Sequence, residues 1–124
     1  MKPHLTHLFM EVADLQRAKW FWTEALGLEL LDDRGAYIAV GGNGGFAIGI
    51  EEVPAAQVSA SGPELTLRVD DVDATTARLS ALGIEITEGP ADQPWGARHA
   101  WLRDPDGRRM SIYSSPHTIM DNPT

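Results

Sequence analysis

The chain carries one pattern twice. HLFMEVADLQRAKWFWTEALGLEL (His7 to Leu30) and ELTLRVDDVDATTARLSALGIEI (Glu64 to Ile86) each run through an alternating segment, an aspartate-containing turn, an amphipathic stretch, a Leu-Gly pair and a second alternating segment, with one residue less in the second copy's helical part. A repeat of this kind constrains the fold more than any local signal, because each copy must be the same supersecondary unit. Period-two alternation puts Leu8, Met10 and Val12 on one strand face in the first copy and Leu65, Leu67 and Val69 in the second. The opposite faces carry His7, Phe9 and Glu11, and Glu64, Thr66 and Arg68.

Asp14 and Asp71 stand where a side-chain oxygen can accept from the first-turn N–H groups of the following helices, and Gly27 and Gly83 stand where those helices should end. Leu15, Ala18, Trp22 and Leu26 space as one helical face; Val72, Ala74, Leu79 and Leu82 do so less regularly. The later halves also correspond. GAYIAVGGNGGFAIGI and GARHAWLRDPDGRRMSI each read as two strands joined by a glycine-containing turn, near Asn43-Gly44 and Asp106-Gly107. Each copy is therefore β-α-β-β-β, with module 1 at about residues 4–52, a Pro/Ala/Ser linker at about 53–63 and module 2 at about 64–115. The fold expected is α+β: two tandem βαβββ modules forming a curved eight-stranded sheet around a cavity, with the helices outside. That cavity is the default ligand site.

At 124 residues and 43% hydrophobic content the chain is a single domain with enough apolar surface for a core. It has no cysteine, so any metal would need His, carboxylate or water ligands. The net charge of −8 repels phosphate backbones and anionic membrane surfaces, which argues against nucleic acid and membrane partners. With no apolar run long enough to span a bilayer, the sequence reads as soluble and cytoplasmic. Arg98, Arg103, Arg108 and Arg109 read as a solvated hairpin edge. Trp20, Phe21 and Trp22 are consecutive on a helix and cannot share a face, so at least one is expected at the surface or in a homodimer contact.

THLFMEVADLQRAKWFWTEALGLEL, LTLRVDDVDATTARLSALGIEI and QPWGARHAWLRDPDGRRMSIYS together resemble the vicinal oxygen chelate superfamily of glyoxalases, extradiol dioxygenases, and fosfomycin- and bleomycin-resistance proteins. The resemblance covers nearly the whole chain. It implies the paired-module fold and a site on the strands. It leaves function open, because the scaffold serves both metal enzymes and metal-free binding proteins. Carried over residue by residue, the family's metal positions are His7, Gly49, Glu64 and Ser111. Only His7 and Glu64 are plausible metal ligands; Gly49 has no side chain and Ser111 replaces the usual carboxylate. Glu51, His99 or His117 would be needed to fill the gap. His99 reads otherwise as a half-buried strand residue and His117 as part of the tail.

Phe9, Tyr37, Trp95, Trp101 and Tyr113, with Ser111, are the candidate ligand-binding residues, offering flat faces to a planar or cationic molecule. The reading favoured is a metal-free protein, without cofactor, that sequesters a small cationic or aromatic ligand. The alternative is a glyoxalase-like lyase or isomerase, or a dioxygenase, holding Ni, Zn, Mn or Fe with His7 and Glu64. A third reading makes Glu64 or His7 a metal-free catalytic acid or base. On this reasoning, Ser111→Glu should restore metal affinity if the remainder of the site is still arranged for an ion.

Overall fold

A computed structural model describes residues 2–42 and 45–114. Two compact units, Met1–Ser59 and Ala60–Thr124, each carry the same element order. The first has β1 (His7–Val12), α1 (Leu15–Lys19) running into a π-helical segment (Trp20–Ala25), β2 (Glu29–Asp33), β3 (Tyr37–Gly41) and β4 (Ala47–Glu52). A short 3₁₀ turn, Ala55–Gln57, lies between the modules' strands in sequence. The second unit has β5 (Leu65–Arg68), α2 (Val72–Ala81), β6 (Ile86–Asp92), β7 (Arg98–Arg103) and β8 (Arg109–Ser114). Each unit has one four-stranded sheet, in the orders β1-β4-β3-β2 and β5-β8-β7-β6. First and last strands of each module pair in parallel and the others antiparallel. The duplication is thus repeated in topology: an α+β fold of two βαβββ modules.

The helix starts show how closely the copies correspond. Asp14 Oδ1 accepts from the Arg17 N–H at 3.1 Å and Asp71 Oδ1 from the Ala74 N–H at 3.0 Å. A second oxygen comes from the module's last strand: Glu52 Oε1 accepts from the Leu15 N–H at 2.8 Å, and Ser114 Oγ from the Val72 N–H at 3.2 Å. Four N–H groups at a helix start lack intrahelical partners, so these bonds tie each helix to its own sheet as well as capping it.

The extra residue of the first copy is absorbed by the π-helical segment, where the Leu26 N–H bonds to Phe21 C=O five residues back at 2.9 Å. The wider turn alters the expected core face. Phe21 and Ala25 join Leu15, Ala18 and Trp22 in burial, with Phe21 and Trp22 edge to face at 5.2 Å. Trp20 is the aromatic left outside, 40% exposed. In α2 the buried face is Val72, Thr76 and Leu79, at helical spacing; Ala74 and Leu82, expected inside, are exposed. Thr76 is accommodated because its hydroxyl donates to Val72 C=O at 2.9 Å.

The covered sheet faces carry the cores. Met10, Val12, Ile38, Val40, Ile48 and Ile50 are buried in module 1, and Ala100, Leu102, Met110 and Ile112 in module 2. The turn between β7 and β8 is organised by buried Asp104, whose Oδ1 accepts from the N–H groups of Asp106 and Arg108. Gly107 takes the positive φ of 88° that closes it. The Asn43-Gly44 turn expected in module 1 lies outside the described residues. Among the described residues no helix is long and apolar enough to cross a membrane.

Candidate functional site

Sheet register decides which side chains share a face. In module 2 the pairing runs Thr66↔Ser111↔Trp101↔Glu88 and Arg68↔Tyr113↔His99↔Ala91. Period-two alternation then places His99 and Trp101 of β7 beside Ser111 and Tyr113 of β8, on the face opposite the core residues Ala100, Leu102, Met110 and Ile112. Their rings form a row. His99 stacks on Tyr113 at 5.1 Å with planes 13° apart and on Trp101 at 5.3 Å with planes 24° apart. Trp95, on the turn before β7, meets His99 edge on at 5.3 Å and donates its Nε1–H to His99 Nε2 at 3.2 Å. His99, Trp101 and Tyr113 are each less than one-tenth exposed, whereas Trp95 is 57% exposed and forms the accessible end.

Glu64 fixes the other end. Its Oε2 accepts from Trp101 Nε1–H at 3.0 Å and its Oε1 from Arg109 Nη1 at 2.8 Å. The Arg109 guanidinium lies 5.0 Å over the Trp101 ring, a cation–π arrangement, and its Nη2 comes within 3.6 Å of Glu88. Burial pushes the His99 pKa down, and the nearby Glu64 carboxylate opposes this only in part, so the ring is held neutral. An indole N–H can only donate. The proton of neutral His99 therefore sits on Nδ1, a buried atom with no hydrogen-bond partner among the described residues.

Of the expected ligand-binding residues, Trp101, Ser111 and Tyr113 come together on this one sheet with Trp95 on the turn before β7, while Phe9 and Tyr37 belong to module 1. Phe9 is half exposed on β1, opposite Gly49 in register. Tyr37 lies over Gly49: a Cβ built there would stand 2.6 Å from its hydroxyl and 3.2 Å from Cε2 and Cζ. His99 and Arg109 are the residues that sequence reasoning left aside, and both are central. Period-two alternation along Arg98-His99-Ala100-Trp101 is the one local signal that could have set His99 beside Trp101; nothing local marks Tyr113 and Trp95 as its other neighbours.

Each of the four metal positions implied by the resemblance can be judged by its own surroundings. His7 is exposed, its Nδ1 2.9 Å from Thr6 Oγ1. Gly49 offers no side chain and its open side is filled by the Tyr37 ring. Ser111 is buried with its hydroxyl donating to Thr66 Oγ1 at 2.9 Å. Glu64 has both oxygens engaged, one by a permanent cation. A neutral hydroxyl and a paired carboxylate are weak substitutes for the three or four anionic or imidazole ligands that hold such ions. Among the substitutes considered, Glu51 is exposed on β4, His99 is committed to the aromatic row and His117 lies outside the described residues. No group of three His, Cys, Asp or Glu side chains able to hold a metal occurs among the described residues.

Two tandem βαβββ modules define a fold class that serves both binding proteins and enzymes. The Glyoxalase/Bleomycin resistance protein/Dioxygenase superfamily model matches residues 4–112, and the chain belongs to that superfamily. TnmS3, an antibiotic binding protein from Streptomyces sp. CB03234, is 31% identical in its crystal structure, with a TM-score of 0.77, over 92% of this chain and 97% of that one. A glyoxalase/bleomycin resistance protein from the same organism is 34% identical, with a TM-score of 0.69, over 86% of this chain and 97% of that one. The glutathione transferase FosA of Serratia marcescens is 29% identical over 119 residues, covering 91% of this chain and 82% of that protein.

Proposed function

We propose that this protein binds a small planar aromatic molecule and holds it without chemical change and without a metal. The observation that carries the reading is the ring row Trp95–His99–Tyr113/Trp101, closed at one end by the Glu64–Arg109 pair and open at Trp95. Stacked aromatic surfaces of this kind contribute about 0.5–1.5 kcal/mol per ring pair beyond the area they bury. Of the two ligand types expected, the aromatic one fits better than the cationic one. Glu64 already has a counter-charge, and Arg109 occupies the face of Trp101 that a ligand cation would seek. The similarity to an antibiotic binding protein supports sequestration, and the donor set at the four metal positions argues against a metal-assisted reaction.

The test is calorimetric titration with neutral naphthalene-based probes, followed by recovery of the probe. Binding is expected in the native protein, with the probe recovered intact, and Trp95→Ala should weaken it by about tenfold. Trp95 is largely exposed, so the variant should fold normally. Undiminished binding by the variant would remove the site assignment.

A further inference from the structure

The hydrogen-bonding groups along the aromatic row are unevenly satisfied. The Trp101 and Trp95 indole N–H groups are engaged by Glu64 and His99, and these bonds in turn occupy both Glu64 oxygens, through Trp101 and Arg109, and His99 Nε2. Two sets of donors are left. His99 Nδ1–H is buried without a partner among the described residues. Arg109 has five N–H donors, of which Nη1 uses one on Glu64; the 3.6 Å approach of Nη2 to Glu88 is an ion-pair contact too long for a hydrogen bond. The Arg109 side chain is 46% exposed, so its remaining N–H groups are accessible, and its clamp between Glu64 and the Trp101 ring fixes their direction.

Charge selects the kind of acceptor that would meet these donors. Arg109 and Glu64 cancel locally, Glu88 adds a negative group at the row's edge and the whole chain carries −8, so an anionic ligand is repelled. A cationic ligand would face the guanidinium. A neutral acceptor meets neither penalty, and a hydrogen bond to a charged donor is worth more than one between neutral groups.

We propose that Arg109, held by Glu64 against Trp101, is the specificity-determining residue of the site and selects planar aromatic molecules that carry a neutral carbonyl oxygen. The proposal rests on the planar-ligand reading above. A matched probe pair separates the two: 2-acetylnaphthalene and 2-isopropenylnaphthalene have nearly the same shape and differ in a C=O against a C=CH₂. The native protein should bind the ketone at least about tenfold more tightly than the alkene. In Arg109→Met, and in Glu64→Gln/Arg109→Met, which leaves no unpaired carboxylate, that ratio should fall to near one. Because the ratio is internal to each variant, a general loss of stability cannot imitate it.

Equal affinity for ketone and alkene in the native protein overturns this inference and leaves the planar-ligand reading standing. A ratio that survives in both variants likewise overturns it. Tighter binding of 2-naphthoate or 2-naphthylmethylammonium than of the ketone refutes the preference for a neutral acceptor. Failure of every probe to bind refutes the planar-ligand reading itself.

Discussion

Gly49 gives the sharpest test of the packing on which the proposed metal-free reading draws. An ideal Cβ at Gly49 stands 2.6 Å from Tyr37 Oη and 3.2 Å from Cε2 and Cζ, against the ~3.5–4.0 Å of comfortable carbon contacts. Adding that methyl group overpacks the site at a cost of ~1–3 kcal/mol. Removing a glycine from a strand interior returns ~0.5–1 kcal/mol of backbone entropy. Gly49→Ala should therefore cost ~0–2.5 kcal/mol in the native background. With Tyr37→Ala the obstructing ring is gone, only the entropic gain remains, and the same change should stabilise by ~0.5–1 kcal/mol. Urea unfolding of the four proteins in this cycle, followed by tryptophan fluorescence, should yield a coupling of ~1–3 kcal/mol. If Gly49→Ala has the same sign and size in both backgrounds, Tyr37 does not fill that position and the argument against a fourth ligand there fails.

Other expectations follow from module 2. Ser111→Glu alone should bring no stoichiometric Zn²⁺ or Ni²⁺ through dialysis, because Arg109 still holds Glu64. Metal uptake by the single variant would show that the ion pair is no barrier. For His99, whose pKa in the folded protein is lowered by burial, stability is full above the unfolded value of about 6.5 and declines as pH falls from there toward the lower folded value, levelling off below it. Melting curves between pH 8 and 5 should show this decline reduced in His99→Gln; identical pH profiles would mean that His99 is not held neutral.

How much of this was legible in the sequence differs between fold and site. The duplication, the capping aspartates and the Asp104-Pro105-Asp106-Gly107 turn are local signals, and the two modules follow from them. The extra residue in the first copy was visible, but whether a helix takes it up as a loop or as a widened turn is settled by packing, here the joint burial of Phe21 and Trp22. The site depended on register. Glu64 looked like a ligand or base because its partners, Trp101 and Arg109, are 37 and 45 residues away and meet it only once β5, β7 and β8 are aligned. Gly49 could be recognised as lacking a side chain, but not as lying under Tyr37. His99 looked structural by itself; its meaning comes from three rings supplied by a turn, its own strand and a neighbouring strand. Periodicity assigns a face to each residue, and it leaves the pairing of faces between strands undetermined.

The proposed function is binding at the module 2 ring row without metal or turnover. Its most direct test is a calorimetric titration of the native protein with 2-acetylnaphthalene, with and without excess EDTA, followed by mass spectrometric recovery of the compound. One site per chain, an affinity unchanged by EDTA and complete recovery of the unaltered ketone are expected. Loss of binding in EDTA, or conversion of the ketone, would contradict it.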